Sequence, residues 1–246
     1  MLFNKLFKKE TKPFMPQIIK VCGMREAQNI SSVVYSGANM IGLNFIPNSP
    51  RYVTQLSTHA GIIPDVGSLD YRKKTNLAQL LAEKQVRLCG IFKDDMPQTI
   101  VTRVVNFHLD IVQLHGSESP IMIDNLRSSL DPDIHPGIQL MKTITIVSKA
   151  DFAQCKPYEG HADYFLFNTK ADNTERFDWH LLKAYKGKTP FLLSGEISER
   201  DVEAIKAIQH PLCIGIDLDS QFETAPALKD TAKIKHFIAQ LRKAEV

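Results

Sequence analysis

Eight short apolar runs separated by amphipathic stretches are the feature of this sequence that most restricts its fold. The runs are rich in Val, Ile, Leu and Phe with little strict alternation, which is typical of parallel strands covered on both faces. Eight such strands alternating with helices predict an α/β protein with a single (β/α)₈ barrel. That fold needs about 250 residues, and this chain has 246. The runs are 18–23, 38–46, 86–92, 109–116, 137–142, 163–168, 190–195 and 212–218.

The two ends of the chain and one long connection need separate interpretation. Residues 1–16, MLFNKLFKKETKPFMP, are basic and lack the continuous apolar core of a signal peptide. We predict a flexible basic tail there and the barrel over residues 17–246, with a surface-binding amphipathic helix as the alternative for the tail. The segment 56–85 contains the polar stretch DYRKKT, and we predict an extra loop after the second strand.

Composition excludes several classes of function. A net charge of +3 gives no sign of a nucleic-acid-binding face. Apolar stretches long enough to span a membrane are missing, so we expect a cytoplasmic protein with no membrane partner. The four cysteines show neither a C-x-x-C pair nor zinc-ligand spacing, so we expect no metal site. Cys89 and Cys213 are predicted to be buried small residues.

In a parallel barrel, active-site residues belong at the C-terminal ends of the strands. Most residues at these ends are polar or small. Strands also end in polar residues where no chemistry takes place, so each position taken alone leaves both interpretations open. The candidates from this rule are Cys22, Asn44, Phe92, Gln113, His115, Lys142, Asn168, Ser194 and Asp217.

Several motifs in one order give a more specific indication. They are IIKVCGM (18–24), GANMIGLNFIPNSPRYV (37–53), DIVQLHGSE (110–118), RFDW (176–179), PFLLSGEI (190–197) and GIDLDSQFE (215–223) with ALKD (227–230). From about residue 17 to its end, the chain resembles the phosphoribosylanthranilate isomerase family of tryptophan biosynthesis.

The resemblance implies an Amadori rearrangement, in which N-(5'-phosphoribosyl)anthranilate becomes 1-(o-carboxyphenylamino)-1-deoxyribulose 5-phosphate. An acid protonates the ring oxygen as the ring opens, and a base removes the proton from C2' of the imine. It also implies that no metal or organic cofactor is used, and that the partner is a small phosphorylated sugar. Members of the family occur as monomers or homodimers, and we expect one of these states.

The resemblance also implies roles for four residues. Cys22 matches the catalytic base, provided that a nearby positive charge or helix end lowers its pKa towards neutrality. Arg51 matches the arginine that holds the anthranilate carboxylate, which suits its planar fork. Gln113 and His115 match a pair that lines the site. The alternatives are a quiet core cysteine, a surface arginine and a structural histidine.

One departure from the family falls on the general acid. The family has an aspartate at the end of the sixth strand, where this chain has Asn168. An amide cannot release a proton near neutral pH, although it can still hydrogen-bond the ring oxygen. Asp172 or Glu175, in the loop TKADNTER, is a possible replacement, the alternative being that both cap a turn or face solvent.

Further departures fall where the family binds the substrate phosphate. The loop TKADNTER has no glycine, whereas the family has a glycine-rich stretch whose N–H groups help to bind phosphate. A Gly-Gly pair after the seventh strand is Gly195–Glu196 here, which puts a carboxylate near an expected dianion. After the eighth strand, Asp219 and Ser220 remain as phosphate-site candidates, with Gln221 in place of a glycine.

Three hypotheses follow from these departures. The first is an isomerase with weak activity, with Cys22 as the base and Asn168 at the acid position. The second is a catalytically inactive paralogue that serves as a ligand-binding or partner-binding barrel. The third is an isomerase of a different sugar phosphate on the same scaffold.

Overall fold

The computed structural model describes residues 13–58, 61–65, 76–169 and 178–243. Eight parallel strands form a closed barrel in the order β1-β10-β9-β8-β7-β6-β5-β2, which confirms the predicted fold. Two antiparallel pairs, β3–β4 and β11–β12, lie outside the barrel. The strands are β1 (Ile18–Val21), β2 (Met40–Asn44), β3 (Thr54–Thr58), β4 (Gly61–Asp65), β5 (Arg87–Phe92), β6 (Ile111–Leu114), β7 (Gln139–Thr145), β8 (Tyr164–Asn168), β9 (Phe191–Leu193), β10 (Cys213–Leu218), β11 (Glu223–Ala225) and β12 (Leu228–Lys229).

Helices follow most barrel strands and cover the outside of the barrel. The α-helices are α1 (Ala27–Tyr35), α2 (Asn76–Glu83), α3 (Pro97–Phe107), α4 (Pro120–Leu130), α5 (Val202–Lys206) and α6 (Thr231–Arg242). Short 3₁₀ helices are Lys149–Tyr158, Trp179–Ala184, Glu199–Asp201 and Ser220–Phe222. The helical segment that contains Glu199–Asp201 and α5 begins at Ser198, because Ser198 and Asp201 form a reciprocal capping box.

Apolar side chains form two separate layers. The larger lies between strands and helices and includes Ile30, Val33 and Val34 of α1, which the sequence pattern predicts to be buried. The smaller fills the barrel interior towards the N-terminal ends of the strands. It consists of Ile18, Met40, Cys89, Ile111, Met141, Leu166 and Leu192. Cys89 and Cys213 are buried as predicted, and all four cysteines are unpaired.

Two regions differ from the simple sequence prediction. The segment 56–85 is not only a loop, because it contains most of the antiparallel pair β3–β4 and the helix α2. Within the predicted tail, residues 1–12 lie outside the described residues. The backbone N–H of Phe14 donates to the carbonyl oxygen of Lys206 at 2.9 Å, so the last part of that segment is tied to α5.

Neither a membrane-spanning helix nor a metal-binding cluster is present in the described ranges. No described helix has the length and apolar content that are needed to cross a bilayer. Within the same residues, no group of three or more His, Cys, Asp or Glu side chains is arranged to hold a metal ion.

Candidate active site

The site begins two residues beyond the apolar layer inside the barrel. Side chains at i and i+2 of a strand point to the same face, so each inward apolar residue is followed by another inward residue. In five strands that next residue is polar. These residues are Lys20, Gln113, Thr143, Asn168 and Ser194, and Asp217 pairs with Lys20 in the parallel register of β1 and β10. The C-terminal end of the barrel interior is therefore a ring of polar groups above an apolar floor.

A buried ion pair lies in the middle of this ring. The Nζ of Lys20 donates to Oδ2 of Asp217 at 3.0 Å, and their side chains are 0% and 3% exposed. The hydroxyl of Ser194 donates to the same Oδ2 at 3.1 Å. Among the described residues, Oδ1 of Asp217 is buried and has no hydrogen-bond partner. One oxygen of this carboxylate is thus fully engaged, while the other has no partner among the described residues.

Cys22 lies two residues after Lys20, so it is on the same inner face of the barrel, and it is buried. A side-chain carbon added at Gly42 of the neighbouring strand would come within 3.1 Å of the Cys22 sulfur, so a glycine there makes room for the thiol. Burial raises the pKa of the Cys22 thiol, Lys20 opposes the rise, and Asp217 adds to it. Lys20 is thus the nearby positive charge that the assignment of Cys22 as a base requires, but in this structure desolvation of the thiol outweighs it.

Arg51 reaches the same end of the barrel, with its fork held by a protein carboxylate. Its Nε and Nη2 donate to the two carboxylate oxygens of Glu223 at 2.8 and 2.6 Å. Asp219 lies 3.4 Å from the Nε. A side chain at Gly23 would collide with Arg51, at 2.4 Å from its Cδ, so this glycine permits the close approach. The arginine is fixed in place before any ligand carboxylate arrives.

Lys229 completes this charged network. Its side chain is 0% exposed, and its Nζ donates to Asp219 at 2.9 Å and to Glu223 at 2.7 Å. Two cations and two carboxylates therefore alternate beside the mouth of the barrel. Each buried charge in the network has at least one opposite charge within hydrogen-bond distance, as a low-dielectric environment requires.

A small cavity of about 110 Å³ opens on the other side of the mouth, at the ends of β8, β9 and β10. It is lined by Asn168, Thr169, Ser194, Gly195, Glu196, Ile197, Asp217, Asp219, Ser220 and Gln221. The four residues proposed from the sequence for phosphate binding are all among them. The Oδ1 of Asn168 accepts the backbone N–H of Thr169 at 2.9 Å, which directs the oxygen of this amide to its own chain.

Glu196 occupies polar donors of this cavity. Its carboxylate accepts a hydrogen bond from the Ser220 hydroxyl at 3.2 Å and from Nε2 of Gln221 at 2.6 Å. Its backbone has a φ of +50°, in the left-handed region that non-glycine residues seldom adopt. A side-chain carboxylate thus binds to two hydrogen-bond donors beside the place where the family resemblance puts an anion.

Gln113 and His115 also point into the barrel. Gln113 is buried and its Nε2 donates to the Thr143 hydroxyl at 3.1 Å, so its amide is part of the polar ring. His115 is half-buried, and desolvation, with help from Lys93 and Lys142, lowers the pKa of its imidazole. A neutral imidazole at neutral pH is suited to hydrogen bonding rather than to carrying charge.

Two of the strand-end candidates lie away from this site, whereas Asn44 has the inward parity of Gly42 and bonds to its own chain. Phe92 points outward and stacks on Phe45 at 5.2 Å between ring centroids, within the strand–helix layer. Lys142 forms a buried pair with Glu118 at 2.9 Å. The Oδ1 of Asn44 accepts the backbone N–H of Ile46.

Sequence reasoning missed three residues of the site, and it proposed two others that lie outside the described residues. It gave no role to Lys20, Glu223 or Lys229. A lysine inside the apolar run IIKV was the available signal for the first of them, because an unpaired lysine is almost never buried. Asp172 and Glu175, the possible replacement acids, lie outside the described residues.

Known proteins of one family are similar to this chain over most of its length. The sequence model of the family N-(5'-phosphoribosyl)anthranilate (PRA) isomerase matches residues 54–240. The N-(5'-phosphoribosyl)anthranilate isomerase of Parabacteroides distasonis is 40% identical over 228 residues, which covers 91% of this chain and 93% of that protein. The protein of the same name from Phocaeicola vulgatus is 35% identical over 229 residues, covering 92% and 98%.

Solved structures agree at the level of the fold. The crystal structure of a phosphoribosyl anthranilate isomerase in complex with reduced 1-(o-carboxyphenylamino)-1-deoxyribulose 5-phosphate has a TM-score of 0.70 to this chain. The match covers 92% of this chain and 98% of that one at 23% identity. The barrel and the order of its strands are shared.

Proposed function

Since the chain belongs to the N-(5'-phosphoribosyl)anthranilate isomerase family, we propose that it catalyses the Amadori rearrangement of N-(5'-phosphoribosyl)anthranilate at the C-terminal end of its barrel. The observation that carries the proposal is the position of Cys22, buried on the inner face directly above the Lys20–Asp217 pair. A thiol there has a positive charge beside it and a polar ring around it. These are the surroundings in which a cysteine can exchange a proton with carbon.

Cys22 is the base that removes the proton from C2' of the opened sugar. Burial keeps the free thiol protonated, and the ammonium of Lys20 is the group that stabilises the thiolate once it forms. The thiolate is the reactive form, so its formation is part of the catalytic work. Gln113 and His115 line the interior next to it and offer hydrogen bonds to the sugar hydroxyls.

Arg51 holds the carboxylate of the anthranilate ring. Glu223 occupies the edge of the guanidinium formed by Nε and Nη2, so a ligand carboxylate meets the other edge or displaces Glu223. The network with Lys229 fixes the direction of the fork, which reduces the entropy lost on binding. Arginine suits this task because its donors are planar and permanently charged.

The activity is expected to be weak for two reasons. The amide of Asn168 cannot supply the proton that a carboxyl supplies, and one matched acid contributes about 10²–10⁴ in rate. Glu196 places a negative charge in the cavity that takes the sugar phosphate, so binding of the dianion is opposed by like charge. The first effect reduces kcat unless another carboxyl of the site replaces the missing acid, and the second raises KM.

Loss of phosphoribosylanthranilate fluorescence with purified protein tests the proposal. We expect measurable turnover that falls by about 10²–10⁴ in Cys22→Ala, the range for loss of a general base. Cys213→Ala is the matched control, because it removes another buried cysteine, which lies at the N-terminal end of β10 and away from the site. We expect it to leave turnover unchanged.

Rescue of a tryptophan auxotroph that lacks this isomerase is the second readout. Full turnover in Cys22→Ala contradicts the assignment of the base. Background turnover in the natural chain, together with failure to rescue growth, contradicts the isomerase and favours a ligand-binding or partner-binding barrel.

A further inference from the structure

We propose that Asp217 donates the proton that an amide at position 168 cannot supply. The proposal rests on the isomerase function above and names the acid of that same site. Asp217 lies at the end of β10 and lines the same cavity as Asn168, so both residues reach the same bound molecule. Sequence comparison with the family points only to position 168, because that is where the carboxyl is missing.

The hydrogen bonds of Asp217 decide which of its oxygens carries the proton. Its Oδ2 accepts from Lys20 at 3.0 Å and from Ser194 at 3.1 Å, and two donors use both lone pairs of that oxygen. A proton on this carboxyl therefore sits on Oδ1. Within the described ranges, Oδ1 is buried and unpartnered, which is unfavourable unless a ligand satisfies it.

The charges around Asp217 allow the protonated form to be reached. Burial raises the pKa of Asp217, the neighbouring Asp219 raises it further, and Lys20 opposes both. Burial also raises the pKa of the Cys22 thiol, which faces the same ammonium. The positive charge of Lys20 is thus balanced by one negative charge, which lies either on Asp217 or on Cys22. When the charge is on Cys22, the proton is on Asp217, and the site holds a thiolate base and a carboxylic acid together.

The protons balance over one turnover. Asp217 gives its proton to the ring oxygen as the C1'–O bond breaks, which leaves an open-chain iminium cation. The thiolate of Cys22 then takes the C2' proton, and the electron pair of that C–H bond forms the enolamine. The enolamine becomes the ketone when C1' gains a proton and the O2' hydroxyl loses one, with no net change in protons. The site is left with a charged Asp217 and a neutral thiol. A proton that returns from the thiol to the carboxylate restores the reactive form.

Asn168→Asp in the otherwise natural chain is the first test, because it changes nothing around Lys20. If Asp217 already supplies the acid, kcat rises by no more than about fivefold, far below the 10²–10⁴ that a first general acid brings. A rise of about 10² or more shows that the natural site had no acid, and it overturns the proposal.

Asp217→Asn is the second test. We expect kcat to fall by about 10²–10⁴ with a smaller change in KM, and Asn168→Asp in the same chain to restore most of it. A kcat unaffected by Asp217→Asn overturns this proposal alone, whereas absence of turnover in the natural chain overturns the isomerase function. Circular dichroism and the thermal midpoint show whether the variant folds; if it does not, Asn168→Asp alone decides.

The pH dependence of kcat/KM is a third test, because its shape would not depend on Asp217 if this residue had a purely structural role. In the natural chain the reactive and resting forms contain the same number of protons, so kcat/KM stays flat through neutral pH. In Asp217→Asn only the thiolate is required, so kcat/KM rises about tenfold per pH unit below the thiol pKa. Identical profiles for the two proteins contradict the proposal.

Discussion

The two sides of the barrel mouth differ in the partners of their charged side chains. On the side that we call the thiol side, each buried charge has an opposite charge next to it. This side comprises Lys20, Cys22, Arg51, Asp217, Glu223 and Lys229. On the phosphate side, formed by Asn168, Gly195, Glu196, Ser220 and Gln221, a carboxylate occupies neutral donors instead. The first side keeps an arrangement suited to proton transfer and carboxylate binding, and the second has become acidic where an anion is expected.

Burial explains why the two sides respond differently to substitution. Removing one partner of a buried ion pair leaves an uncompensated charge, which is costly. Lys20 and Lys229 have fully buried side chains, so single changes at these positions of the thiol side are expected to reduce stability. Gln221 is exposed and Glu196 is half-buried, so the phosphate side can change its chemistry without unfolding the barrel.

The sharpest way to break this comparison is to remove a charge from the thiol side. Lys229→Met removes one of the two cations that pair with Asp219 and Glu223, while Arg51 still pairs with both, and we expect a loss of about 1.5–3 kcal/mol in the free energy of unfolding. Urea denaturation followed by circular dichroism measures it. Lys206→Met is the control, because its partner Glu203 is exposed and such a pair contributes about 0.2–1 kcal/mol. Equal losses in both variants contradict the contrast.

Arg51→Lys tests the thiol side through binding rather than stability. Lysine keeps the charge but loses the planar fork that Glu223 holds and that the anthranilate carboxylate is proposed to meet. A hydrogen bond to a charged group contributes about 1.5–3 kcal/mol, so we expect KM to rise about 10- to 100-fold with a smaller change in kcat. Steady-state fluorescence over a range of substrate concentrations separates the two constants.

The control for Arg51→Lys is Arg87→Lys. Arg87 lies at the opposite, N-terminal end of β5, where it contacts Gln139 and Tyr164. Its replacement should leave KM unchanged. If both variants have the KM of the natural chain, Arg51 does not bind the substrate carboxylate.

Sequence patterns predicted the barrel and named Cys22, Arg51 and Asp217 of the thiol side because these depend on local order. The apolar runs set the strands, and the period of two puts Cys22, Gln113 and His115 on the inner face. The same rule failed for Phe92, because a one-residue shift along a strand turns a side chain from the interior to the helix layer. The end of a strand can be located from sequence to within a few residues. Whether a side chain there faces the barrel interior or the helices depends on the exact register.

Long-range contacts and burial account for what sequence could not give. Arg51 and Glu223 are 172 positions apart, and nothing in either motif says that they touch. Lys20 is two residues from Cys22, which suggests a lowered thiol pKa, but only the structure shows that the thiol is buried deeply enough for desolvation to outweigh that charge. Glu196 was recognised as a misplaced carboxylate, yet its binding to Ser220 and Gln221 depends on the positions of two loops.

The smallest effect is expected from restoring the phosphate side. Glu196→Gly removes a carboxylate that occupies the Ser220 and Gln221 donors, and it places a glycine at a φ of +50°. Removing one charge about 4 Å from an anion in a water-like medium contributes about 1 kcal/mol. We therefore expect the KM for phosphoribosylanthranilate, and the inhibition constant of inorganic phosphate, to fall about fivefold with kcat nearly unchanged.

Glu196→Gln separates the charge of this residue from its volume and hydrogen bonds. The amide keeps an oxygen acceptor for Ser220 and Gln221 and retains the backbone strain, so a fall in KM in this variant comes from charge alone. Glu203→Gln removes an exposed carboxylate on α5 and serves as the control for a general change in net charge. If Glu196→Gly and Glu203→Gln have the same phosphate inhibition constant, then the carboxylate of Glu196 does not compete with phosphate, and the acidic character of this side has no bearing on substrate binding.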